Sequence, residues 1–123
     1  MATRSTITHV SSDNKMQSIY CHWDGNITGV GMGLMKHINT NQKVKALIAE
    51  GNRSTLGADA YHHTEGWGGN RPASFIEPQE YNYVYDEVDE QWYVFSYHIE
   101  GAETYNNRIE LTKELVYAKI SVS

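Results

Sequence analysis

The sequence predicts an α+β fold: an antiparallel sheet built from two hairpins, with a short helical pair packed on one face. Three observations lead there. Two stretches rich in β-branched and aromatic residues, 3–23 and 80–97, are each interrupted by turn-forming residues. Between them, apolar residues recur at helical spacing over 28–50. The order strands, helices, strands belongs to α+β architecture rather than to an alternating α/β chain. The 123 residues form a single domain, long enough to bury a modest core without cross-links.

Residues 3–10 read as a strand because Thr, Ile and Val dominate them, and 15–23 read as its return across the turn residues Ser11 to Asn14. A hairpin centred near Asp13 sets Arg4 opposite His22, Thr6 opposite Tyr20 and Ile7 opposite Ile19. Alternation then puts Ile7, Ile19, Cys21 and Trp23 on a core face. Arg4, Thr6, Tyr20, His22 and, past the strand end, Asp24 form a polar row on the other. Asp24-Gly25 makes a turn.

Thr28 to Ile38 reads as a helix with Val30, Leu34, Met35 and Ile38 on one side. Gly29, Gly31 and Gly33 weaken it and imply close approach of a neighbouring helix or of a ligand. Their spacing matches neither a phosphate loop nor a dinucleotide fingerprint. Asn39-Thr40 caps a second helix, Asn41 to Glu50, with Val44, Leu47 and Ile48 apolar and Gly51 as its stop.

Residues 52–79 lack periodicity and read as a long loop, the expected specificity element. Residues 80–86 form a strand with tyrosines 81, 83 and 85 on one face. An acidic turn, Asp86 to Glu90, leads to its partner at 91–97, where Trp92 shares a face with Val94. Residues 108–111 add a short strand, and 112–119 read as a helix in competition with a strand over 115–122.

Composition narrows the function classes. Net charge is −5, with seven Lys/Arg against five Asp/Glu in residues 1–71 but three against ten in 72–123. An acidic half does not attract a phosphate backbone, which argues against nucleic-acid binding. Cys21 is the single cysteine, as expected in a reducing cytosol. Met1 to Ser5 lacks the apolar core of a signal peptide, and no apolar run is long enough to span a membrane. Nine tyrosines and a modest core make a homo-oligomer the expected state.

Tyr20 to Gly25 concentrates the reactive chemistry. Cys21 and His22 are neighbours on a strand and face opposite ways, so they are not a nucleophile and its base by position, and the thiol reads as structural. Six histidines occur without His-x-x-x-His, Cys-x-x-Cys or Glu-x-x-His spacing, so no metal site and no cofactor is expected. Arg4 can fork onto a phosphate, Asp24 can take ribose hydroxyls, and Trp67 can stack on a base. Arg4, Tyr20, His22 and Asp24 form the expected pocket base, closed by Trp67 and Arg71 from the loop. The competing reading is a polar sheet face satisfied by internal hydrogen bonds.

Thr3-Arg4-Ser5-x-Ile7, Tyr20-Cys21-His22-Trp23-Asp24-Gly25, Lys43-Val44-x-x-Leu47-Ile48-x-x-Gly51, and Glu80-Tyr81-Asn82-Tyr83 with Gln91-Trp92-Tyr93-Val94 resemble a family of small accessory proteins common in tailed bacteriophages and prophages. The resemblance covers most of residues 1–97. Family members carry bulkier residues where Gly29, Gly31 and Gly33 stand here, and the tail after Ser96 matches little. The resemblance brings no activity with it. It implies an accessory product acting in the host bacterial cytoplasm, where such proteins often counter host defence.

Three functions are therefore expected in order. The first is sequestration of a small nucleotide-derived signal without turnover. The second is inhibition of a host defence protein through the acidic hairpin Asp86 to Glu90. The third is degradation of such a signal, with His22 or His62 as acid/base.

Overall fold

The computed structural model of the chain describes residues 3–56, 74 and 77–122. Strands β1 (Ser5–Val10) and β2 (Met16–Cys21) form the first hairpin, and β3 (Tyr81–Asp86) and β4 (Gln91–Phe95) the second. Helices α1 (Met32–His37) and α2 (Asn41–Ala49) lie between the hairpins, and β5 (Ile109–Glu110) and α3 (Lys113–Val122) follow them. The fold is α+β, and residues 113–122 are helical rather than extended.

The first hairpin has the register expected from the sequence: Thr6 pairs with Tyr20 and Ile7 with Ile19. One feature of the sheet differs. Its order is β2-β1-β3-β4-β5, and β1 runs parallel to β3, with Ser5 beside Tyr81, so the sheet is mixed rather than wholly antiparallel. Residues 52–54 already occupy the edge of β2: Asn52 Oδ1 accepts the Tyr20 amide, the Arg53 amide donates to Tyr20 O (2.9 Å), and His22 N donates to Arg53 O (3.2 Å). The second hairpin docks on the other side of β1, where β3 runs parallel to it. Flanked on both sides, β1 is buried along its whole length.

The helices cover one face of the sheet. Ile7, Ile19, Cys21, Tyr83, Tyr85, Trp92 and Val94 pack there against Ile27, Val30, Leu34, Val44, Leu47, Ile48 and Leu56. Thr40 caps α2 by accepting the Lys43 amide, and Gly51 ends that segment with φ 85°, a left-handed conformation that favours glycine. The opposite face holds a smaller cluster of Val10, Val84 and Phe95, with Tyr93 and Tyr105 against it.

Trp23 departs from the expected core face: it is 44% exposed. Strand pairing ends at Cys21, after which Trp23 N donates to Ser54 O (2.6 Å) and Asp24 turns with φ 59°. Alternation stops with the ladder, so Trp23 is not carried inward. Its ring stands edge-on to the His22 ring, with centroids 4.7 Å apart.

Residues 52–56 are not loop in the expected sense. Arg53 is fully buried against β2, its Nε donating to Thr55 O (3.0 Å) and its Nη1 to Glu50 (3.4 Å). Among the described residues, no helix is long and apolar enough to cross a membrane.

Candidate ligand site

The turn after β2 is built by backbone hydrogen bonds converging on two carbonyls. Val30 N donates to Asp24 O (2.7 Å), while Gly29 N (3.0 Å) and Gly31 N (3.4 Å) both donate to Asn26 O. The bond from Gly31 back to Asn26 spans five residues, and Ile27–Gly31 accordingly forms a single wide π-turn leading into α1. Such turns are rare and often sit at functional sites.

Two of the three glycines have a specific reason. A Cβ on Gly31 would stand 3.2 Å from the Tyr83 ring, and one on Gly29 would run into the Asp24 carbonyl. Close approach was expected from a helix or a ligand; the neighbour at Gly31 is a tyrosine of the sheet. That tyrosine also donates its hydroxyl to Gly25 O (2.6 Å), fixing the turn to the core.

Outside this turn lies a cavity of about 370 Å³, lined by Asp24, Asn26, Thr28, Met32, Lys36 and His37, with Gly29 and Gly33 contributing backbone only. Positions 33, 36 and 37 lie on neighbouring turns of one side of α1, next to the face that buries Leu34. Asp24 Oδ2 accepts from Thr55 Oγ1 (3.2 Å), and the Asn26 amide donates to Thr28 Oγ1 (2.8 Å). Among the described residues Lys36 forms no ion pair. The cavity thus offers a carboxylate, an amide, a hydroxyl, a free ammonium and an imidazole around a methionine.

Among the described residues, Arg4 and Asp24 of the expected polar row line different cavities. Tyr20 and His22 do come together, the phenol and Nδ1 lying 2.7 Å apart. Partial burial pushes the Tyr20 hydroxyl above its ordinary range, and the nearby Arg4 guanidinium partly offsets this. Arg4 itself lines a separate cavity with Gln79, Glu80, Tyr97 and Glu103. Asp24 leaves the row because its left-handed backbone turns it towards α1. Trp67 and Arg71 lie outside the described residues, as do His62 and His63.

Lys36 and His37 were not singled out by sequence reading. The signal was present: they extend the Gly29–Gly33 face by one turn. It was masked because that face has no apolar periodicity.

Among the described residues, no three His, Cys, Asp or Glu side chains gather as a metal site. The acids of the second hairpin are largely engaged internally. Asp86 accepts the Val88 amide (2.9 Å), Glu87 accepts Ser12 N (2.7 Å) and the Asn41 amide (2.9 Å), and Asp89 accepts the Tyr93 hydroxyl (2.6 Å). That last bond is the chief reason the Tyr93 hydroxyl is pushed to about 12.

No protein-family model, curated protein or solved structure matches the chain.

Proposed function

We propose that this chain binds a small nucleotide-derived anion in the Asp24 cavity and holds it without turnover. The observation that carries the reading is the pairing of the Asp24 carboxylate with the Lys36 ammonium and His37 imidazole around one cavity. A carboxylate takes the hydroxyls of a ribose as donors, and an ammonium takes a phosphate as a point charge. Met32 supplies an adaptable apolar surface for a base. At about 370 Å³ the space falls in the range of small-molecule sites, roughly 300–1,000 Å³.

Retention and turnover are separated by the test below; the geometry bears only on covalent turnover through a hydroxyl among the cavity's described residues. Its one hydroxyl, that of Thr28, is bonded to the Asn26 amide rather than to an imidazole or carboxylate, so no activated nucleophile is assembled. The counter-defence setting, in a host bacterial cytoplasm, comes from the resemblance to phage accessory proteins. The internal use of the hairpin acids gives the inhibitor reading less free charge to work with.

The test is retention. The protein is incubated with a panel of cyclic and linear nucleotides, freed of unbound ligand and denatured by heat, and the released material is identified by mass spectrometry. Intact nucleotide is expected; a modified one would mean an enzyme, and none would overturn the reading. Asp24→Asn, which keeps a residue tolerant of the left-handed backbone, and Lys36→Ala are each expected to cut retention about tenfold or more, the loss of one charge-assisted contact of roughly 1.5–3 kcal/mol. Arg4→Ala, in a separate cavity, is expected to leave retention unchanged.

A further inference from the structure

The sheet face turned away from α1 and α2 carries a second site with different chemistry. Thr6 lies beside Asn82 across the parallel junction, and Thr8 lies opposite Ser18 across the first hairpin. All four are buried, Thr8 at 8% exposure and Ser18 at 5%.

Their hydrogen bonds can be accounted for one by one. Asn82 is fully used. Its Oδ1 accepts from Thr6 Oγ1 (2.8 Å) and Gln79 N (2.8 Å), and its Nδ2 donates to Gln79 O (3.0 Å) and Phe95 O (3.3 Å). Thr6 has spent its proton on Asn82. Thr8 and Ser18 differ: the pair holds two O–H protons and shares one hydrogen bond of 2.7 Å, in which either can donate. Among the described residues, neither has another side-chain hydrogen bond. Among the described residues one hydroxyl proton is therefore left over, at a site more than nine-tenths buried where an unmet donor is destabilising.

Both hydroxyls line a cavity of about 190 Å³, together with Thr6, Asn82 and Ser74 and the apolar and aromatic groups of Met16, Pro78, Val84, Phe95 and Tyr105. Among the described residues, no charged side chain lines it. The described lining thus offers a phosphate or carboxylate no counter-charge for the water it would lose. The occupant that matches is neutral, compact and mostly apolar, with one acceptor for the spare proton.

We propose that this cavity binds a neutral, largely apolar small molecule through a single carbonyl oxygen or ring nitrogen, which accepts the hydrogen bond left over by the Thr8–Ser18 pair. The site is separate from the Asp24 cavity and stands whether or not a nucleotide binds there.

The proposal is tested with two probes of matched shape, acetophenone and α-methylstyrene, in which a methylene replaces the carbonyl oxygen. Each is titrated into isotope-labelled protein and followed by amide chemical shifts. The quantity read is the ratio of the two dissociation constants, compared between variants so that the probes' different affinities for water cancel. Because either hydroxyl can donate, removing one frees the other. Thr8→Val alone and Ser18→Ala alone are each expected to change the ratio by less than about threefold, and the double variant to lower the acetophenone preference about tenfold. Shifts are expected to centre on Thr8 and Ser18. Failure of acetophenone to bind, as in a cavity that holds only water, overturns the proposal. So does an unchanged ratio in the double variant, or a ratio already lost in either single one. Should the double variant not fold, a crystal structure of the native protein with acetophenone decides. Its carbonyl within hydrogen-bond distance of either hydroxyl supports the site, and a carbonyl placed elsewhere overturns it.

Discussion

Cys21 and Trp23 sit two residues apart and were expected on the same core face, yet one is fully buried and the other 44% exposed. The period of two holds only while the ladder holds, and Cys21 is its last paired residue. Burial pushes the Cys21 thiol up to about 11, with the nearby Arg53 guanidinium offsetting part of the rise. At neutral pH the thiol is therefore protonated and unreactive. Iodoacetamide at pH 8 is expected to alkylate native protein at least tenfold more slowly than urea-unfolded protein, as read by intact mass. Equal rates would show that the thiol is reachable without unfolding.

At the scale of elements, the π-turn and α1 depend on contacts that no helical propensity scale contains. Gly31 is required because Tyr83 stands against it, and Tyr83 is held there by its bond to Gly25 O. Gly31→Ala would ordinarily favour a helix by up to about 1 kcal/mol. Here its Cβ would stand 3.2 Å from a buried ring, which must give by a few tenths of an ångström against its hydrogen bond to Gly25 O. The expected outcome is a net loss of stability of about 1–3 kcal/mol in urea unfolding, with the slope unchanged. A gain would mean that the ring has room to move. The Thr8–Ser18 pair makes the complementary point: hairpin register was legible, but the surplus proton follows only once both partners are known to be buried.

Across the whole molecule, Glu87 joins segments far apart in sequence. Its carboxylate accepts from Ser12 in the first hairpin turn and from Asn41 at the start of α2, and Asn41 Oδ1 lies 2.7 Å from His9 Nε2. The Ser12 amide and the Asn41 side chain hold the Glu87 carboxyl below its ordinary value of 4.5. Since its folded value is lower than its unfolded one, its contribution is complete above the unfolded value and is lost as pH falls through the folded one. Glu87→Gln is accordingly expected to lower the melting temperature at pH 7. The gap to the native protein should narrow as pH drops below about 4.5. A gap independent of pH would assign the effect to packing instead.

Much of the molecule was readable from residue pattern alone: both hairpins, the register of the first, the capped second helix and the burial of Ile7, Ile19, Cys21, Val44, Leu47 and Ile48. These follow from local periods and turn chemistry, which act over a few residues. What the pattern did not contain were choices made between distant segments. That β3 docks on β1 and not on β2 goes with Arg53 already occupying the edge of β2. That Arg4 and Asp24 line different cavities depends on one left-handed residue at the end of a ladder. That Lys36 and His37 stand beside Asp24 depends on how far the π-turn rotates α1. Each is decided by competition for the same hydrogen-bonding groups or the same space, and sequence spacing along the chain does not encode who wins it.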